Sequence, residues 1–179
     1  MKYISRNGSD QKGALRLIIV AALVVTFCSK AIAQQSEYPV KAAFLVNFLK
    51  FIDWPDKSGP YIIEVAGKSP FGTYLESLAS NRTINGRKIV IRSDKHGSGP
   101  PASIVFVPYS ESERYADYLQ YAKKPVIVIG ETAGFAQKYG AINFIFEHDR
   151  VGFEINPKMA KNSGVKVSSR LLQLAKIVD

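Results

Sequence analysis

The stretch NFIFEHDRVGFEIN, residues 143–156, places Glu147, His148, Asp149, Arg150 and Glu154 within a single short segment. Carboxylates beside an imidazole are the parts of general acid–base catalysis, provided the site is shielded and its pKa values are tuned. The flanking pattern argues for another use. Val151, Phe153 and Ile155 alternate with Gly152 and Glu154, and in the preceding run Ile142, Phe144 and Phe146 share one face. Two alternating runs joined at His148-Asp149 predict an antiparallel hairpin with a tight turn. The histidine then stands at an exposed tip, a poor place for a general base. Glu154 and Asn156 point away from Phe153 and are expected to anchor the next helix or loop.

Other chemistries are weakly supported. Gly67-Lys68-Ser69 has the ending of a phosphate-binding loop, but position 62, where the first glycine belongs, is Ile. His96 and His148 are far apart, with no cysteine beside them, so no metal is expected. No nucleophile-elbow pattern occurs. Ser168-Ser169-Arg170 reads more simply as the start of the last helix, with a serine accepting from free amides. No cofactor is expected.

The elements that must position these residues alternate. Pro39 opens a helix at its first turn, and VKAAFLVNFLKFIDW follows up to Pro55. Phe44, Leu45, Phe48, Leu49, Phe51 and Ile52 fall on one arc of about 160°, opposite Asn47, Lys50 and Asp53. Ala43 and Val46 sit among the polar positions, so this helix has a second apolar side, covered by its own domain or by another chain. Strands are expected at 61–67, 86–93, 102–110 and 125–131. Helices are expected at 73–80, 111–124, 132–139 (stopped by Gly140) and from about 168 to 178. Strands alternating with helices predict an α/β fold, a mostly parallel sheet with an antiparallel hairpin near the C-terminus. In such a sheet, ligands bind beyond the carboxyl ends of the strands. Lys68, Ser69, Ser110, Glu131 and Thr132 lie there, and either line a small-molecule crevice or form ordinary turns.

The first residues look like an address label. Lys2, Arg6, Lys12 and Arg16 precede an apolar run from Leu17 to Cys28, and Ala31-Ile32-Ala33 follows. This is the layout of a secretory signal peptide cleaved after Ala33. Cleavage removes a net charge of +4 and the single cysteine, leaving 146 residues (34–179) at +5 as one domain. No block of like charge or basic–aromatic stripe suggests nucleic acid. No membrane insertion of the mature chain is expected.

The blocks YPVKAAFLVNFLKFIDWP, GKSPFG, INGRKIVIR, GFAQKYGAINFIFEHDRVGFEIN and VKVSSRLLQLAKIV occur in that order from Tyr38 to Val178. In them the chain resembles the YfiR/HmsC-like family of periplasmic proteins. The resemblance implies a single three-layer Rossmann-like α/β domain. It also implies binding to the periplasmic sensor region of an inner-membrane diguanylate cyclase, which is held inactive. Release raises cyclic-di-GMP and favours biofilm formation. Homodimers are known among such proteins. The family blocks include Asn143, Phe153, Glu154, Asn156, Ser168 and Arg170, expected to be structural. Two departures stand out. The best-known repressors carry redox-active cysteine pairs, which a chain beginning at Gln34 would lack. Lys138-Tyr139-Gly140-Ala141 also stands where the family pattern has Gly-Gly.

Three function classes follow. In a regulatory binding protein, the two-sided first helix would offer Val46, Lys50, Phe51 and Trp54 to the partner. In a periplasmic small-ligand sensor that signals to a histidine kinase or transporter, the strand-end loops would hold the ligand. An enzyme would need distant residues brought together, such as Glu154 with Arg170. The resemblance favours the first.

Overall fold

A computed structural model of the chain describes residues 37–93, 100–123 and 125–179, with no side-chain account for 118–124. The expected signal peptide and His96 lie outside the described residues.

The apolar arc read from the sequence forms a helix over residues 37–51, α1. Leu45, Phe48 and Leu49 are fully buried, while Asn47 and Lys50 face solvent. Val46, on the second side, is buried in the same hydrophobic cluster. The helix ends earlier than its periodicity suggests. Ile52–Asp53 turns into a short strand, β1, paired antiparallel with β9 (Lys166–Val167), with Ile52 opposite Val167 and Asp53 opposite Lys166. The indole N–H of Trp54 donates to the Leu49 carbonyl at 3.1 Å, closing the end of α1.

The remaining strands are β2 (Tyr61–Val65), β3 (Thr83–Ile84), β4 (Arg87–Ser93), β5 (Ile104–Val107), β6 (Ile127–Gly130), β7 (Ile142–Glu147), β8 (Arg150–Ile155) and β10 (Lys176–Ile177). They form one eight-stranded sheet in the order β10-β8-β7-β6-β5-β2-β4-β3. Strands β4, β2, β5, β6 and β7 run parallel, and the edges are mixed. The sequence alternation of β2, β5 and β6 divides their side chains between two clusters. Ile63, Val65, Ile104, Phe106, Ile127 and Ile129 join α1 on one face. Ile62, Val105, Val107, Val126 and Val128 meet Tyr115 and Phe135 on the other. Continuous apolar runs are what strands covered on both faces require.

The expected hairpin is present. β7 and β8 pair antiparallel with Glu147 opposite Arg150, leaving His148-Asp149 as a two-residue turn. Both have positive φ, 52° and 58°, which marks a type I′ turn matched to the twist of the strands. Both are exposed.

Three expectations need correction. The helix expected at 111–124 is instead a 3-10 helix over Tyr109–Lys123, which takes in the last two residues of the strand expected at 102–110. The last helix, α5, covers only Ser169–Leu174, and the chain then runs as β10 parallel to β8. Pairing with the open edge of β8 outcompetes the helical pattern of the last four residues. A further helix, α4 (Pro157–Asn162), was not expected. Asn156 caps it by accepting from the Met159 amide at 3.0 Å, and Pro157 occupies its first turn. Of the expected middle helices, α2 is Tyr74–Ser80 and α3 is Phe135–Lys138. Gly140 follows α3 because a side chain there would overlap the Phe135 ring and the Val128 carbonyl.

Candidate functional site

Two places compete for a functional role, at opposite ends of the sheet. At the carboxyl ends, the strand order reverses between β2 and β5. Gly67 leaves β2 with φ +61°, and the Glu111 carboxylate occupies the space where a side chain at 67 would sit. At the end of β6, Glu131 is gripped from three sides. Its carboxylate accepts from the Lys41 ammonium at 2.9 Å, the Tyr38 hydroxyl at 3.1 Å and the Tyr109 amide at 2.7 Å. The Lys41 and Glu131 side chains are 7% and 3% exposed. Thr132 pairs with the Tyr115 hydroxyl, whose pKa is pushed up to about 12, first by burial and then by the charge of Glu131. Ser69 accepts weakly from the Phe71 amide at 3.4 Å. Of the five expected crevice residues, only Lys68 and Ser110 are exposed. The first turn of α1 thus fills the position where a ligand's polar group would meet Glu131.

At the amino ends lies a groove of about 820 Å³, open to solvent. α1 delivers Lys50 and Phe51 to it, β1 delivers Asp53, and the following loop brings Trp54 and Lys57. β2 and β4 supply Tyr61 and Arg87, and β9 with α5 supply Lys166, Ser168, Ser169 and Leu172. Arg87 organises one wall. Its guanidinium donates to the carbonyls of Gly59 at 2.7 Å, Ser58 at 2.8 Å and Asp56 at 3.0 Å, and lies 3.8 Å from the Tyr61 ring centre. Asp53 pairs with Lys57, and that hydrogen bond, with the charge of Lys57, holds its pKa below the usual carboxylate value.

The structure corrects the partner-facing set offered by α1. Val46 is covered by its own core and Trp54 is 4% exposed, so neither offers broad apolar surface. The apolar second side of the helix is answered by its own domain. Lys50 is exposed and Phe51 half-buried, and both line the groove.

The six family-block residues act as follows. Phe153 packs against Phe44 and Phe48, with ring centres 5.2 and 5.0 Å away. Asn156 caps α4, and Ser168 caps α5 by accepting from the Leu171 amide at 3.3 Å. Asn143 lies opposite Glu154 across the hairpin and donates to it at 3.4 Å. Glu154 pairs with Lys176 at 3.4 Å, and Arg170 is exposed. The pairing of Glu154 with Arg170 that an enzyme reading would use is replaced by this contact with β10. Lys176 also meets Glu147 at 3.5 Å, and the two carboxylates raise its pKa. Sequence reasoning missed Lys57, Arg87 and Lys166. The signal for Arg87 was present in the INGRKIVIR block, but its loop partners are about thirty residues earlier in the chain and were not legible.

Among the described residues no helix is long and apolar enough to cross a membrane, and no cluster of three metal-ligating side chains occurs. No curated protein matches the chain. The sequence profile described as YfiR/HmsC-like matches residues 38–176, and the chain belongs to that family.

Proposed function

We propose that the protein is a periplasmic regulatory binding protein that represses an inner-membrane diguanylate cyclase through the periplasmic sensor region of that enzyme. Repression lowers cyclic-di-GMP and biofilm formation. The observation that carries this reading is family membership over nearly the whole described domain. The engagement of the most reactive-looking groups in structural contacts supports it: His148 forms a hairpin turn, and Glu131 is held by Lys41. The same reading takes the fold as a three-layer Rossmann-like domain, supported by the two hydrophobic clusters on the two faces of the sheet. It takes residues 1–33 as a cleaved secretory signal and the rest as the exported domain. It includes a homodimer, for which exposed Leu174 and Ile177 offer apolar surface.

The mechanism is a population shift. A bound regulator changes its partner only by its differential affinity for the partner's two states. A difference of about 5.5 kcal/mol swings a cyclase from 1:99 to 99:1. The groove around Lys50 and Phe51 is the surface we assign to that contact.

The test is affinity capture. The mature chain, tagged after Asp179, is cross-linked in the periplasm and its partners are identified by mass spectrometry. A membrane protein with a cytoplasmic diguanylate cyclase domain is the expected catch. A histidine kinase or transporter subunit in its place would overturn the repressor reading and favour a small-ligand sensor. That second reading rests on the groove volume, which lies in the ~300–1,000 Å³ range of small-molecule sites.

A further inference from the structure

The groove at the amino ends of the strands is chemically one-sided. Lys50, Lys57, Arg87 and Lys166 line it, against the single carboxylate of Asp53. Asp53 is paired with Lys57, and Arg87 is tied to four backbone carbonyls. Lys50 and Lys166 form no ion pair among the described residues. They come from segments more than a hundred residues apart, brought together because β1 pairs with β9 directly after α1. Between these charges lie the half-buried Phe51 ring, the Tyr61 ring and Leu172. Lys166 faces Asp53 across the β1–β9 pair and feels its charge, so four cations share one carboxylate over an apolar floor.

We propose that this groove receives an acidic, extended segment of the protein partner, with carboxylates flanking an apolar side chain. This rests on the reading of the protein as a partner-binding regulator. Charge complementarity identifies the occupant. An excess of cations over carboxylates gains most from carboxylates presented together, and the apolar floor rewards a side chain set between them. The groove is open to solvent, whereas small-molecule sites bury ~70–90% of their ligand. A chain segment lying across the opening fits that shape better than an enclosed small anion. Lys50 and Lys166 are the specificity-determining residues on this surface.

The test titrates the mature chain with a fluorescein-labelled twelve-residue peptide of glutamates around one central phenylalanine. A glutamine-for-glutamate copy, free glutamate and inorganic phosphate serve as comparisons. The acidic peptide is expected to bind at least tenfold more tightly than the glutamine copy and to weaken as salt rises. Lys50→Gln and Lys166→Gln are each expected to weaken it at least fivefold with thermal midpoints kept. Equal binding by these variants would overturn the proposal, as would equal competition by phosphate or free glutamate. Periplasmic cross-linking with wild type and Lys166→Gln separates this from the broader reading. Capture of a cyclase by wild type alone supports the groove. Capture by both overturns the groove and leaves the regulator standing. Capture by neither overturns the regulator reading and this proposal with it.

Discussion

Replacing Lys41 by methionine probes the end of the sheet where a ligand was expected. The thioether keeps the volume of the lysine stem and removes the ammonium. Glu131 is then a carboxylate with a 3% exposed side chain, left with two neutral donors: the Tyr38 hydroxyl at 3.1 Å and the Tyr109 amide at 2.7 Å. Removing one partner of a buried ion pair costs ~3–5 kcal/mol, because the other charge stays desolvated. The two surviving hydrogen bonds place this case at the low end, about 3 kcal/mol. For a domain of this length that is a drop of roughly 10 °C in Tm. The Lys41→Met/Glu131→Gln pair removes the orphaned charge and keeps an oxygen for the Tyr109 amide. It is expected to recover to within about 1 kcal/mol of wild type. Urea unfolding followed by fluorescence reads both variants, since Trp54 is the only tryptophan and is buried near Tyr61. A single-variant loss under about 1 kcal/mol, or a double variant no better than the single, would refute the reasoning. Glu131 would then be hydrated and the crevice at the carboxyl ends open to ligands.

Tyr115 gives an alkaline signature. Its folded pKa is raised from 10.0 to about 12, so its contribution is complete below pH 10 and is lost as pH rises towards 12. Unfolding curves at pH 9 to 12 should show that decline, and Tyr115→Phe should flatten it. At the hairpin tip, His148→Asn with Asp149→Gly suits the positive φ at both positions and should stabilise the domain by about 1 kcal/mol without weakening partner capture. Gly140→Ala should destabilise by roughly 1–3 kcal/mol, read from the urea midpoint, because the added methyl meets the Phe135 ring and the Val128 carbonyl.

Local signals made most of this fold legible. The apolar runs of β2, β5 and β6 announce strands buried on both faces, and the alternation around His148-Asp149 announces a hairpin and its turn. Ser168 reads as a cap from sequence and is one. Asn156-Pro157 carried an equally good helix start, and α4 follows it, so that omission was one of reading. What lies beyond local pattern is long-range pairing. Nothing near Ile52 says that Val167 will sit opposite it, yet this contact ends α1 and builds the groove. The strand at Lys176–Ile177 likewise depends on β8 having an open edge. The second apolar side of α1 was visible through Val46, but which neighbour covers it is a property of the whole packing.

The aromatic seat of α1 also bears on how the chain reaches this state. Phe48, near the start of the domain, stacks on Phe144 and meets Phe153 edge-on, and the end of the helix waits for β9. These contacts close loops of roughly a hundred residues, and sequence-distant contacts slow folding. A chain emerging N-terminus first presents this apolar helix before the strands that bury it exist. The apolar face of the helix is buried only once the hairpin is in place, so this helix and the hairpin complete the core together.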